Sequence, residues 1–239
     1  MTNVKSQNSY RYGILKGLPI ALGYLSVSFG FGISALGKGI HPIGAILISL
    51  TNLTSAGQVA GVEIIHACGT IIEMILAQLV INMRYCLMGL ALTQKLDNGF
   101  TTPHRMITSF AITDEVFAVA AAERGLINTS FMYGLITLPP IGWTLGTALG
   151  VFAGQLLPAD VCSALEIAIY SMFVAIIVPP ARHDRGVLFT VIIASALSCA
   201  LYYIPALAHI STGFKIIICA VVASGAMAYI APKSYNEEE

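Results

Sequence analysis

Charged residues at the centres of apolar runs carry the chemistry of this chain. Arg84 lies in TIIEMILAQLVINMRYCLMGLALT at 70–93, two residues after Asn82, and Asp114 and Glu115 lie in HRMITSFAITDEVFAVAAAE at 104–123. A charge near the middle of a membrane span costs on the order of 2.5–3.5 kcal/mol, so each of these groups demands a partner or a task. Glu73 shares a helical face with Arg84, but three turns put it about 16 Å away, too far to pair. Gln78 and Asn82, at i and i+4, line a different stripe of the same run. Arg84 therefore requires an anion from another helix or from a ligand, because an unpaired guanidinium in low dielectric is costly. Asp114 and Glu115 supply it. Adjacent residues on one helix point about 100° apart, so one carboxylate is expected to pair with Arg84 and the other to stay available as a proton carrier.

A second cluster needs no charge. TNLTSAGQVAG at 51–61 gathers Thr51, Asn52, Thr54, Ser55 and Gln58 with Gly57 and Gly61 at the centre of an apolar run. A continuous lipid-facing helix does not concentrate hydroxyls, amides and glycines there. A broken or kinked helix does, because freed amides and carbonyls need polar partners. The candidate substrate or ion contacts are thus Thr51, Asn52, Thr54, Ser55, Gln58, Asn82, Arg84, Asp114 and Glu115. Thr113 reads as a helix-packing hydroxyl, and Trp143, the one tryptophan, as packing or an interface anchor. Glu63 and Glu166 fall nearer run ends, as do His41, His66, His104, His183 and His209, where solvation explains them; Tyr202 and Tyr203 fit an interfacial aromatic belt. Metalloprotease, hydrolase-elbow, Walker and dinucleotide motifs are lacking, so the chain is read as no enzyme, with no cofactor or metal, and as unable by itself to run on ATP. Five cysteines, Cys68, Cys86, Cys162, Cys199 and Cys219, have no paired spacing and read as buried thiols.

These residues need elements to hold them, and composition says which. Of 239 residues 56% are hydrophobic and only 10% charged, with 12 Lys+Arg against 12 Asp+Glu. That balance cannot cover a water-soluble surface and excludes a basic nucleic-acid binder. The chain reads as all-α, a polytopic membrane protein in the lipid bilayer, forming one domain over 1–239. Units long enough to cross a core of about 30 Å fall at 14–37, 43–66, 70–93, 104–122, 128–152, 161–180, 186–205 and 211–231. Eight spans are preferred over seven; in the seven-span alternative the second run dips in and returns. Alternating the loops puts Lys5, Arg11, Lys16, Arg124, Arg182, Arg185 and Lys233 on one side and Lys38, Lys95, Arg105 and Lys215 on the other, so both ends are placed in the cytoplasm. The polar start, MTNVKSQNSYRY, has no secretory signal, and the first span serves as insertion signal. LPIALGYLSVSFGFG from Leu18 echoes LPPIGWTLGTALGVFAG from Leu138, a pattern that duplicated transporters and recurring small-residue packing both produce.

The same residues follow a known order. Gly17 to Tyr24 (GLPIALGY), Ala56 to Gln58 (AGQ), Asn82 to Tyr85 (NMRY), Thr113 to Glu115 (TDE) and Gly142 to Thr147 (GWTLGT) match in sequence and interval. The chain resembles the large subunit of AzlC-type branched-chain amino acid permeases over nearly its whole length. Its second segment, SAGQVAG, departs from the family's GAAQF, and Tyr85 stands where the family has His, departures that bear on substrate preference. The resemblance implies export of branched-chain amino acids, in some members methionine or azaleucine resistance, from the inner membrane of a bacterium, with a small AzlD-type membrane subunit as partner. A small neutral amino acid suits the residues: Arg84, the Asp114/Glu115 pair and surrounding apolar groups offer a cationic contact, an anionic contact and an apolar pocket. Proton coupling is expected, and self-association is left open. The alternative is a membrane scaffold or partner subunit whose midplane charges only fix helix packing.

Overall fold

A computed structural model describes residues 9–207 and 209–230. Lys5, Lys233 and the side chain of Glu166 lie outside the described residues. The described residues form helices α1 (Tyr10–Gly37), α2 (Pro42–Thr51), α3 (Ser55–His66), α4 (Ile71–Thr93), α5 (Thr102–Phe110), α6 (Asp114–Ala122), α7 (Thr129–Leu156), α8 (Ala159–His183), α9 (Arg185–Tyr203) and α10 (Thr212–Ile230), with a short 3-10 turn at Pro205–Leu207. The chain is an all-α polytopic membrane protein. α1, α4, α7, α9 and α10 are each long and apolar enough to cross a bilayer, and large apolar side chains such as Leu15, Leu22, Ile72, Leu87 and Phe152 lie on the outside, where lipid rather than water would meet them. Cys68, Cys86 and Cys199 are exposed too, which corrects the expectation of buried thiols.

The residues group into two compact units, one of Met1–Val59 with Asn82–Ile169 and one of Ala60–Ile81 with Tyr170–Glu239. In the second unit, Glu73 is almost fully buried and its carboxylate accepts the Gly213 N–H at 2.6 Å. It thereby satisfies a backbone donor that the start of α10 leaves open. The face it was read to share with Arg84 plays no part in this.

The first unit is built on α1 and α7, which pack side by side along 28 residues each. Gly13 meets the backbone of Phe131 and Leu135, Gly17 that of Leu135, and Gly142, Gly146 and Gly150 meet the carbonyls of Ala21, Leu25 and Phe29. Residue numbers rise together on both helices, so α1 and α7 run parallel. Glycine at every fourth position lets the backbones touch, the small-residue packing of membrane helices, and a Cβ on Gly142, Gly146 or Gly150 would fall inside the facing carbonyl oxygen. The echo at Leu18 and Leu138 is thus a pair of like helices in contact.

Two runs are broken. The second breaks at Asn52–Thr54 between α2 and α3, as the polar cluster indicates. The fourth, read as one helix with Asp114 and Glu115 at its middle, also breaks, at Ala111–Thr113 between α5 and α6. Its acids instead occupy the first turn of α6, behind Thr113, whose hydroxyl caps the helix by accepting the Val116 N–H at 3.3 Å. Thr113 is therefore an N-cap rather than a packing hydroxyl.

Loop pairing fixes how these breaks lie. Asp97 donates its N–H to Ile127 O at 2.9 Å, and Ile127 donates to Lys95 O at 2.7 Å, so the loop after α4 is bonded to the loop before α7. Lys95 Nζ also reaches Ala121 O and Glu123 O at the end of α6. Glu123 in turn meets Tyr12 and Lys16 near the start of α1. The beginning of α1, the end of α4, both outer ends of the α5–α6 segment and the beginning of α7 all lie at one face, here the N-terminal face. The α5–α6 segment consequently enters and leaves at that face and is a re-entrant hairpin. Since α1 ends at the opposite face and α4 must begin there to end at the N-terminal face, α2–α3 is a second re-entrant hairpin, entering from the other side. Nine- and ten-residue half-helices, about 14–15 Å long, reach about half of a 30 Å core. Lys95 and Arg105, placed by loop alternation opposite Arg11, therefore share its face.

Candidate functional site

The hairpin tips meet at the level of the midpoints of α1 and α7. Between them lies a cavity of about 210 Å³ lined by Thr51, Asn52, Leu53 and Thr54 of the first tip, Asn82 and Tyr85 of α4, and Ser109, Phe110 and Ile112 of the second. Four of the residues picked out from the sequence, Thr51, Asn52, Thr54 and Asn82, therefore face one space.

Local chemistry sets the shape of the first tip. Asn52 has extended backbone angles that end α2, and its Oδ1 accepts the Thr54 N–H at 3.0 Å, closing an Asx turn. Thr54 Oγ1 accepts the Gly57 N–H at 3.4 Å, which caps α3 at Ser55. Gln58 does not line the cavity; it holds the tip together from behind. Its Nε2 donates to Asn52 O at 2.9 Å and Ser49 Oγ at 3.3 Å, and its Oε1 accepts the Trp143 indole N–H at 2.9 Å. Ser49 and Thr147 share a hydrogen bond of 2.7 Å. All four side chains are buried, and since an indole N–H only donates, the orientation of the Gln58 amide is fixed.

At the second tip the two acids take different partners: Asp114 meets Arg84, and Glu115, expected to stay available, is engaged by Tyr24. Asp114 Oδ2 lies 2.6 Å from Arg84 Nη1, and Arg84 also donates to the Tyr85 hydroxyl at 3.3 Å, its guanidinium stacked over that ring. The ion pair is about one-third exposed at each side chain, which places it at the edge of open space rather than in packed core. Arg84 Nε has no hydrogen-bond partner among the described residues. Glu115 turns the other way and accepts a hydrogen bond from the Tyr24 hydroxyl, which also lies 2.5 Å from Thr113 Oγ1. Tyr24 packs edge-on against Trp143 with ring centroids 5.3 Å apart.

Reading by residue type missed Tyr24, Tyr85, Ser49, Thr147 and the bonding role of Trp143. Hydroxyls and aromatics inside apolar runs resemble ordinary packing. Four of the five do lie within the ordered motifs quoted above, and that was the available signal. Among the described residues no group of three or more His, Cys, Asp or Glu side chains is placed to hold a metal ion.

The AzlC protein family matches residues 19–157, a stretch that contains α7, about the last two thirds of α1 and both hairpins. An uncharacterized membrane protein of Archaeoglobus fulgidus is 33% identical over 78% of this chain and 83% of its own length. Inner membrane protein YgaZ of Escherichia coli K12 is 25% identical over 82% of this chain and 84% of its own. An uncharacterized membrane protein of Helicobacter pylori J99 is 24% identical over 71% and 74%. No solved structure matches the chain significantly. With more than half its length matched to the family and a relative of this similarity, the chain belongs to the AzlC family of multi-pass membrane proteins.

Proposed function

We propose that this protein is a secondary active exporter of branched-chain or other neutral amino acids, methionine included, in the inner membrane of a bacterium, driven by protons and working with a small AzlD-type membrane subunit. The observation that supports it is the cavity between two opposed hairpin tips with an ion pair beside it. Broken helices at mid-depth are the usual means by which transporters offer backbone groups to a solute. A zwitterion of amino-acid size needs acceptors for its ammonium and donors for its carboxylate. Asp114 and the Asn82 amide serve the first need; Arg84 and the first turn of α3 serve the second.

The side chain has a place to go. Ser109 and Ile112 also border a second cavity of about 210 Å³, lined mainly by apolar groups that include Leu92, Leu96 and Met132. A polar space adjoining an apolar one suits a solute with a charged head and a branched or thioether tail. The absence of a nucleotide-binding motif leaves an ion gradient as the energy source, and two carboxylates at the second tip favour the proton. The family resemblance supplies the subunit, and the name of the Escherichia coli relative the inner membrane.

The test is uptake of labelled leucine and methionine into inverted vesicles, with and without the small subunit. Accumulation that stops when the pH gradient is collapsed, and persists when only the sodium gradient is removed, is the expected result. A scaffold would accumulate nothing in either case.

A further inference from the structure

The two hairpins are held by latches of different chemistry. Each tip is fixed by one aromatic donor from the midpoint of a rigid helix, Trp143 of α7 for the first and Tyr24 of α1 for the second. The α1–α7 backbones touch through glycines, so that pair cannot slide and the hairpins are the movable parts. The first latch consists of Trp143, Gln58, Ser49 and Thr147, none of which ionises in the physiological range. The second ends on a carboxylate.

We propose that Glu115 is the site that takes the coupling proton and that its bond to Tyr24 is the latch of the second hairpin. Protonation then frees the hairpin facing the N-terminal side while the first stays shut. A phenol donating to a carboxylate makes a charge-assisted bond, roughly twice as strong as a neutral one; adding a proton to the acceptor removes that advantage. Tyr24 is only 5% exposed, so water does not compensate by solvating the phenol. The titratable and charged groups around Glu115 are Tyr24 from α1, Asp114 beside it, and Arg84 and Tyr85 from α4; at the far end of α6, Glu123 is held by Tyr12 and Lys16. Asp114 is engaged by Arg84 of α4, whereas Glu115 is the acid bonded to α1, so it is the charge of Glu115 that the latch reads. Tyr24 is thus a positioning residue: it reads the charge of Glu115 and sets the place of the tip.

The proposal rests on the proton-coupled reading above but on no particular substrate. Its test uses the full chain in vesicles exposing the N-terminal face, with the five native cysteines replaced. Single cysteines are introduced as Ile112→Cys at the second tip and Leu53→Cys at the first, and labelled with a small maleimide. Rates are normalised to Arg124→Cys in an exposed loop, to cancel the pH dependence of thiol reactivity. The normalised rate at 112 should rise severalfold from mildly alkaline to mildly acidic medium, and that at 53 should stay flat. Glu115→Gln should give the high rate at both pH values, and Asp114→Asn should keep the pH response.

A flat rate at 112, an equal rise at 53, or a response abolished by Asp114→Asn instead of Glu115→Gln overturns the proposal. Trp143 is the sole tryptophan, so native emission verifies that the first latch is intact in each variant. Should Glu115→Gln lose that emission, Tyr24→Phe repeats the test, since it removes the donor and leaves the acid. Proton-driven leucine export with flat labelling rejects the latch alone, whereas gated labelling without export rejects the substrate.

Discussion

Arg84 and Asp114 show how a burial argument made on residue types is refined by geometry. Truncating one member of a fully buried pair costs about 3–5 kcal/mol. Here each side chain is about one-third exposed, so the lower range for a bond to a charged group, about 1.5–3 kcal/mol, applies. Arg84→Ala should therefore reduce the yield of folded protein and abolish transport. Arg84→Ala combined with Asp114→Ala should restore the yield, since no charge is stranded, but not transport. Arg84→Lys should fold and transport poorly, because an ammonium lacks the flat fork that holds Asp114 and Tyr85 together. Size-exclusion yield and vesicle uptake measured side by side check all three, and wild-type uptake by Arg84→Ala would remove the ion pair from the site. The apolar cavity makes a separate forecast. Leu92→Phe should fill part of it and raise the KM for leucine and methionine severalfold while sparing alanine, measured as competition against one labelled substrate.

At the scale of elements, the two breaks differ in how openly the sequence announces them. The first stands out because Asn52, Thr54 and Gln58 are partners that a broken backbone needs, placed where lipid would reject them. The second is flanked by Ala111 and Ile112, with no glycine or proline, and its apolar length suggests one helix. Its signal was local: Thr113 followed by Asp114 and Glu115 is a cap with acids in the first turn, a helix start. Length of run outweighed it. The parallel course of α1 and α7 follows from strict alternation as well as from two returning runs; what lay beyond reach was the return of the fourth run, which only the bonded loops at Lys95 and Ile127 show. The glycine contacts give the test. Gly146→Ala places a methyl against Leu25 O and Ser28 Oγ, an overpacking that costs about 1–3 kcal/mol or more. Gly23 has nothing near its would-be Cβ, so Gly23→Ala should stabilise α1 by up to about 1 kcal/mol. Thermal unfolding in detergent should show a clear loss for the first and a neutral or raised midpoint for the second.

For the whole molecule, the re-entrant hairpins change the charge ledger and therefore the topology. In the first unit Arg11, Lys16, Lys95, Arg105 and Arg124 belong to the N-terminal face, and Lys38 alone to the other. Arg84, paired with Asp114 at the second tip, belongs to neither face. Five basic residues of this unit then stand against one, a sharper bias than the three against three that strict alternation gives the same residues, so the N-terminal face is expected to be the cytoplasmic one. The forecast for this unit is three crossings, at α1, α4 and α7, with the start of α1 inside. It excludes the seven-span alternative, because one re-entrant run without the other would make α1 and α7 antiparallel. In a background free of native cysteines, Asp97→Cys in the loop after α4 separates the schemes: eight alternating spans put it outside, two hairpins put it inside. An impermeant maleimide added to right-side-out vesicles should leave Asp97→Cys and Arg124→Cys unlabelled and should label Lys38→Cys. Labelling of Asp97→Cys from outside would restore eight spans, and with them a second broken helix that crosses the membrane instead of returning.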